Sequence, residues 1–221
     1  MEKIAVAVVN YKGGVGKTTL SIILAQMSLM KRRKVLAVDL DPQMNFKYGL
    51  SYDMIQKQFG SFMDVKTSIE SADADADADW IILDCPPVIG EAMRSALDFA
   101  DIALVPVQPD IFSVNNLDEL YKLADKLNLD KNQLPIVKIG YGQTALSRKL
   151  DSIIAEKGYP VAGQIPVNRL IPYNIASGRI WATGFSAEMR RPYENLYERV
   201  EKAYERMLAG NFDGAWAESD A

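Results

Sequence analysis

Short apolar runs alternate along the chain with longer segments in which apolar residues recur at helical spacing. The first run, 4–9, is continuous and rich in β-branched residues, as in a strand buried on both faces of a parallel sheet. Similar runs predict strands at 35–38, 81–83, 102–105, 136–139 and 161–165. The helical pattern predicts helices at 18–30, 91–100, 113–128, 145–157 and 186–209. We therefore expect an α/β fold with a doubly wound, mostly parallel sheet and helices on both faces.

Length and composition favour a single globular domain over residues 1–221. Of the 221 residues, 48% are hydrophobic and 24% are charged, which is close to the average for folded domains. No apolar run approaches the ~18 residues of a membrane-spanning helix, so we expect a cytoplasmic protein. The stretch 210–221 contains glycines and acidic residues and predicts a flexible acidic tail. An Asp-Ala repeat at 73–79 predicts a solvated linker.

The residue inventory removes several classes of chemistry. Cys85 is the single cysteine and histidine is absent, so the chain has no internal disulfide, no Cys-x-x-Cys metal site and no Ser-His or Cys-His catalysis. Any reaction must rest on carboxylates, lysines, backbone amides or a bound cation. The net charge of −4 argues against a nucleic-acid binder whose whole surface is basic, although a local basic stripe could still bind phosphates.

A glycine-rich segment with two lysines connects the first strand to the first helix, which is the context of a phosphate-binding loop. Glycines let backbone N–H groups turn towards an anion, and the helix N-terminus adds partial positive charge. In this pattern Lys17 reaches the β- and γ-phosphates of a nucleotide and Thr18 places its hydroxyl on Mg²⁺. The predicted nucleotide-binding residues of this loop are Lys12, Gly13, Gly14, Val15, Gly16, Lys17, Thr18 and Thr19.

The loop departs from the standard pattern at Tyr11, where a glycine is usual, and it carries the additional Lys12. With these two features it resembles the deviant Walker A loop of the ParA/MinD family of ATPases, whose fold is of the P-loop NTPase type. The resemblance implies ATP and Mg²⁺ as cofactors. It also implies that Lys12 crosses an ATP-bridged homodimer and contacts the phosphates of the partner, which adds Lys12 to Lys17 as a catalytic candidate.

Acidic residues end two of the predicted strands. Asp39 and Asp84 each follow a buried run, and the carboxyl ends of parallel strands meet at one edge of a sheet. These two carboxylates can therefore hold Mg²⁺ together with Thr18. The segment 39–43 resembles the switch I of the family, and 84–87 resembles its Walker B and switch II. By this resemblance Asp41 orients or activates the attacking water.

The segment 165–168, Ile-Pro-Val-Asn, also resembles a family pattern that contacts the nucleotide base after the last strand. It makes Pro166, Val167 and Asn168 candidates for base binding. A simple turn from strand to loop is an equally acceptable interpretation.

The C-terminal helical pattern carries basic residues opposite its apolar face. On a helical wheel they fall in one arc, which is a candidate DNA stripe, whereas acidic residues beside it favour a solvated face with ion pairs just as well. The same face pattern predicts that Tyr193, Tyr197 and Tyr204 are buried. The candidate DNA-binding residues are Arg191, Arg199, Lys202 and Arg206 of this helix, with Arg169 and Arg179 before it.

The family resemblance extends from Ile4 to about Met207 and implies a small, single-domain, ParA-like partition or positioning ATPase. The implied function is a weak Mg²⁺-dependent ATPase that dimerises with ATP, binds DNA non-specifically on the nucleoid and is stimulated by a ParB-like adaptor protein. The cargo is a plasmid, a chromosome region or a protein assembly. The alternatives are a MinD-like membrane-associated regulator, which needs a basic amphipathic C-terminal helix, and a P-loop biosynthetic enzyme.

Overall fold

The structure is a computed structural model and describes residues 2–50, 58–70, 77–110 and 112–217. Its strands are β1 (Ile4–Val8), β2 (Val35–Asp39), β3 (Met63–Lys66), β4 (Trp80–Asp84), β5 (Ile102–Val107), β6 (Ile136–Ile139) and β7 (Val161–Ile165). Its helices are α1 (Lys17–Met30), α2 (Asn45–Gly49), α3 (Glu91–Phe99), α4 (Ser113–Lys126), α5 (Ala145–Glu156), α6 (Leu170–Ala176) and α7 (Ala187–Leu208). Short 3₁₀ turns lie at Gly60–Phe62 and Lys131–Gln133.

The strands form one sheet of seven in the order β3-β2-β4-β1-β5-β6-β7, and every pairing is parallel. The predicted doubly wound sheet is therefore confirmed, with all six predicted strands in it. Strand β3 was not predicted from the sequence. Among the described strands, it pairs with β2 alone, at the edge of the sheet. Its charged Asp64 and Lys66 and its half-buried residues break the continuous apolar pattern by which the other strands were recognised.

Side chains that alternate along each strand fill two separate cores. Ile4, Val6 and Val8 of β1 point into the core that is covered by α1, α6 and α7. Ala5 and Ala7 point into the opposite core, which is covered by α3, α4 and α5. Because both faces are covered, the central strands are apolar throughout, which explains the continuous runs in the sequence.

The helices begin and end close to the predicted positions. Ser186 caps α7 as expected, since its side chain accepts a hydrogen bond from the Met189 N–H. The three tyrosines of α7 are buried, so their predicted role in packing is confirmed. The short helices α2 and α6 were not predicted, because fewer than two turns give no clear period.

The C-terminal segment packs against the domain up to Ala217, which differs from the flexible tail predicted for 210–221. Trp216 is 9% exposed, and its indole Nε1 donates to the Asn132 carbonyl at 2.7 Å. Arg206 Nη1 donates to the carbonyls of Gly214, Ala215 and Ala217 at 2.9–3.1 Å. The burial of one indole and the pairing of these carbonyls hold the segment in place. Residues 218–221, like most of the Asp-Ala repeat, lie outside the described residues.

Candidate functional site

The predicted phosphate loop lies between the end of β1 and the start of α1. Gly14 and Gly16 have φ of 75° and 97°, so both need the left-handed backbone that glycine adopts without strain. Asn10 orients the entrance of the loop, because its Oδ1 accepts from the Lys12 N–H and its Nδ2 donates to the Pro106 carbonyl. The first turn of α1 has no side-chain cap, which leaves its N–H groups for an anion.

Lys17 lies at the base of this loop and is 7% exposed. Its ammonium Nζ donates to the Lys12 carbonyl at 3.0 Å. Burial lowers the pKa of Lys17 from its ordinary value, and the nearby Asp84 carboxylate partly opposes that shift. A phosphate in the loop would stabilise the charged ammonium directly.

Asp84 ends β4 and is fully buried beneath the loop. Its two carboxylate oxygens accept from the Thr18 hydroxyl at 2.7 Å and from the Ser21 hydroxyl at 2.9 Å. Burial raises the pKa of Asp84 to about 7, and the two hydroxyl donors oppose that shift. Burial thus disfavours the charged form of the Asp84 carboxylate, and a bound cation would stabilise that form.

Asp39 lies beside Asp84, because the two are register partners in the β2–β4 pair. Its oxygens accept from the Asp41 N–H at 3.2 Å and the Lys47 N–H at 2.8 Å, so Asp39 folds the segment that follows β2. Asp41 is half-buried on that segment and accepts from the Gln43 N–H at 2.9 Å. The three aspartates predicted from the sequence thus end neighbouring strands or follow them directly.

The oxygen donors at this edge fit Mg²⁺. The Thr18 hydroxyl and the Asp84 carboxylate are hard oxygen ligands that already lie in contact, with Asp39 on the adjacent strand. Magnesium usually binds one or two carboxylates and takes its other ligands from water and phosphate. Within the described residues, no three Asp, Glu, His or Cys side chains cluster closely enough to form a metal site alone.

The second lysine of the loop is held within its own chain. Lys12 forms an ion pair with Asp110, in the loop that follows β5. Asp110 also accepts from the Ser113 hydroxyl at 2.7 Å and the Phe112 N–H at 2.9 Å, and these contacts lower its pKa against the effect of burial. The Gln108 side chain of the same loop lies 3.4 Å from the Gly14 carbonyl. The loop after β5 therefore covers one side of the phosphate loop.

A cavity of about 200 Å³ opens beside the phosphate loop. Apolar side chains line it, and the segment after β7 forms one wall, which contains the candidate base-binding residues Pro166, Val167 and Asn168. Such a mainly apolar cavity with a few polar groups suits a planar ring. Further lining residues are Gly14, Gly16, Thr19, Leu20, Ile23, Gln108, Ile139, Ile165, Ile171, Pro172 and Tyr193.

The six candidate DNA-binding residues separate into two groups. Arg169, Arg179, Arg191 and Lys202 are exposed. Arg199 and Arg206 have a different role from the one predicted. The Arg199 Nη2 donates to the carbonyls of Val161 and Trp216 at 3.2 and 2.9 Å, and Arg206 binds the three carbonyls of the C-terminal segment. Both guanidinium groups hold backbone carbonyls and are half-buried.

Several residues of the site were absent from the sequence predictions. Ser21 lies three residues after Thr18, on the same side of α1, and this spacing could have revealed it. Asp39 and Asp84 are the last residues of their strands, whereas Asp110 lies beyond the end of β5 at Val107, so the search for an acidic residue at a strand end did not include it. Tyr193 lies in α7, far along the chain, and no local pattern marks it as a lining residue of the cavity.

Comparison with known proteins identifies the family to which this fold and site belong. The family model described as "CobQ/CobB/MinD/ParA nucleotide binding domain" matches residues 6–180, which include the end of β1, the phosphate loop and all three aspartates. The chain belongs to this family. Its resemblance to ParA and MinD, inferred from the two lysines and the acidic strand ends, is thereby confirmed.

Relatives of this CobQ/CobB/MinD/ParA domain include partition proteins. The chain is 29% identical to the sporulation initiation inhibitor protein Soj of Bacillus subtilis over 52% of its own length and 62% of Soj, so the match covers less than two thirds of Soj. It is 25% identical to the chromosome-partitioning ATPase Soj of Treponema pallidum, over 76% of this chain and 82% of that protein. It is also 27% identical to the maintenance of carboxysome distribution protein A of Halothiobacillus neapolitanus, over 70% and 75%.

Solved structures confirm the fold of this CobQ/CobB/MinD/ParA domain. The cell division ATPase MinD of Pyrococcus furiosus superposes with a TM-score of 0.73 at 21% identity, over 91% of this chain and 99% of that one. A plasmid partition protein of Borrelia burgdorferi bound to AMPPNP gives 0.70 at 20% identity, over 90% and 98%. In the described part of the chain, no helix is long and apolar enough to cross a membrane.

Proposed function

We propose that this protein is a weak, Mg²⁺-dependent ATPase that acts as a dimerising switch. ATP binding joins two copies, the dimer binds DNA without sequence preference, and a ParB-like adaptor stimulates hydrolysis and release. The cycle would segregate or position a plasmid, a chromosome region or a protein cargo on the nucleoid in the cytoplasm. The observation that carries this proposal is the phosphate loop with two lysines, set against three aspartates at the ends of neighbouring strands.

Each chemical role has a matching group at this edge. Lys17 and the glycine N–H groups would bind the phosphates, and Thr18, Asp84 and Asp39 would hold Mg²⁺. A bound Mg²⁺ would neutralise charge on the phosphates during transfer of the γ-phosphoryl group. Asp41 lies on the segment beside the carboxylate pair and would orient the attacking water. The AMPPNP in the related structure from Borrelia burgdorferi agrees with this choice of ligand.

The surface around the loop supports dimerisation. Large apolar side chains are 40–65% exposed in the segments that follow the strands at this edge, where a second copy would cover them. In a dimer joined here, each phosphate loop would face that of the partner, within the reach of a lysine. The exposed apolar residues are Val88 and Ile89 after β4, Phe112 after β5, and Val167, Leu170 and Tyr173 after β7.

The Lys12→Ala variant is expected to bind ATP still, but to raise the dissociation constant of the ATP-dependent dimer at least about tenfold. The reason is the loss of a charge-assisted contact between subunits. Sedimentation velocity with ATP and with ADP measures the dimer. Asp110→Asn is the control, since it breaks the ion pair within the chain yet leaves Lys12 in place. If both variants lose the dimer equally, the ion pair itself matters and the reach of Lys12 across the dimer is refuted.

Four exposed cations carry the DNA-binding part of the proposal. Arg191 and Lys202 project from the same side of α7, ~16 Å apart along its axis. Arg169 and Arg179 lie in the preceding segment, on the side of the sheet that α6 and α7 cover. One protomer offers few phosphate contacts, and dimerisation would double that number on one DNA duplex.

Charge reversal at Arg191 and Lys202 to glutamate is expected to weaken DNA binding by the ATP dimer about tenfold or more and to make it less salt-dependent. Basal ATP hydrolysis should stay unchanged. The matched control reverses Lys122 and Lys126 on α4, which are exposed on the opposite face of the sheet. A mobility-shift titration with ATP on two unrelated duplexes, at two salt concentrations, tests both variants. Equal losses for the two variants would mean that only net charge matters, and binding without ATP would contradict the switch.

A further inference from the structure

A tyrosine of α7 connects the cavity to the rest of the domain. Tyr193 is 1% exposed, and its ring lines the cavity. Its hydroxyl donates to the Pro166 carbonyl at 2.8 Å, in the segment that forms one wall. Because Tyr193 lies on the buried side of α7, this bond fixes the orientation of the Pro166 peptide plane from the interior of the domain.

The other two residues of that wall are held by different contacts. Val167 packs closely on Gly140, where an added Cβ would lie 2.7 Å from Val167 Cγ2. The Asn168 Oδ1 accepts at 2.9 Å from the N–H of Leu170, which is the first residue of α6. The Asn168 side-chain oxygen is thus used within the turn, whereas its amide nitrogen can still donate to a ligand. Within the described residues, Tyr193 is the side chain that holds the Pro166 carbonyl.

Tyr193 is also connected, through Trp181, to α1, the helix that follows the phosphate loop. Its ring lies 4.7 Å from the ring of Trp181, measured between centroids. The backbone N–H of Trp181 donates to Gln26 Oε1 at 2.7 Å, and Gln26 is buried in α1. These contacts connect Tyr193 with Gln26, in the C-terminal half of the helix that follows the phosphate loop.

We propose that Tyr193 is a positioning residue for the nucleotide base. Its hydroxyl keeps the 166–168 segment in the orientation that closes the cavity around a base, and it touches neither phosphates nor metal. This role rests on the proposed function, because the cavity must receive the base of ATP. The geometry makes a selective prediction: loss of the hydroxyl should weaken the binding of a ligand with a base and should spare a ligand made of phosphates alone.

The test compares Tyr193→Phe with Tyr197→Phe by calorimetric titration of Mg-ATP and of inorganic tripolyphosphate with Mg²⁺. Tyr197 is the matched control, because it is buried on the same side of α7 and its hydroxyl also has a hydrogen bond, from Ser28 at 3.1 Å. Both variants keep their rings and therefore their packing. We expect Tyr193→Phe to bind ATP about three- to tenfold more weakly and tripolyphosphate normally, as fits the loss of one buried hydrogen bond. Tyr197→Phe should match the unmodified protein with both ligands.

Three results would overturn the role of Tyr193: unchanged ATP affinity in Tyr193→Phe, an equal loss of tripolyphosphate affinity, or the same loss in Tyr197→Phe. A fourth result refutes more than this role. If the unmodified protein binds tripolyphosphate but gains no affinity from the base and ribose of ATP, the cavity is not a base site. If it binds neither ligand, the proposed ATPase function itself fails.

Discussion

Lys17→Ala is expected to lower the affinity for ATP about a hundredfold or more, because it removes the charge that would face the β- and γ-phosphates. In the structure the ammonium of Lys17 is buried and donates to the Lys12 carbonyl, so it is already directed across the loop. The other lysine of the loop, Lys12, is paired with Asp110 at the side of the loop. Calorimetry with Mg-ATP measures the effect directly.

Lys31→Ala is a suitable control for this variant, because Lys31 follows the opposite end of α1 and binds Glu198 and Glu201 of α7. It should leave ATP affinity unchanged and alter at most the stability of the fold, as exposed ion pairs contribute little. Retention of ATP affinity within about twofold in Lys17→Ala would contradict the assignment of the phosphate loop.

Asp41→Ala is expected to bind ATP with nearly normal affinity and to hydrolyse it about a hundredfold more slowly or worse. The expected loss is large because the chain contains no histidine that could take over the orientation of water. The Asp41 carboxylate accepts from the Gln43 N–H, whereas the bond from the Met44 N–H goes to the Asp41 carbonyl and survives the substitution. The variant should accumulate as the ATP dimer, which sedimentation would detect alongside phosphate release.

Asp118→Ala provides the comparison for Asp41→Ala, since Asp118 is also a half-buried aspartate, on α4, where it is paired with Lys157. Its hydrolysis rate should equal that of the unmodified protein. If Asp41→Ala also turns over ATP at the normal rate, another group positions the water and the proposed catalytic role of Asp41 is wrong.

The sequence could predict the fold and bring together the candidate phosphate-binding residues because both depend on local patterns. Buried parallel strands are apolar on both faces, and glycines, lysines and strand-ending aspartates lie next to them in the chain. The edge strand β3 escaped notice because only part of it is buried. Arg199 and Arg206 were assigned to DNA because a helical wheel contains no information about the C-terminal segment that folds back onto α7.

The cavity proposed for the base depends on contacts between distant parts of the chain. Tyr193 meets Pro166 across 27 positions, and Trp181 meets Gln26 across 155. Within α7, Tyr193 has the same apolar spacing as Tyr197 and Tyr204, so the pattern predicts burial for all three and cannot separate their partners. Only packing distinguishes the tyrosine that reaches the cavity from those that bind Ser28 and the Lys3 carbonyl.

The central position of β1 has a consequence for synthesis on the ribosome. The strand that leads into the phosphate loop pairs with β4 and β5, whose residues leave the exit tunnel much later, and the Tyr204 hydroxyl binds the Lys3 carbonyl across 201 positions. Pairings between such distant segments form slowly, because a long loop must first close. A nascent chain that stops before β4 therefore presents Lys17 and its glycines without either strand that pairs with β1, and it should be a client for chaperones rather than a nucleotide binder.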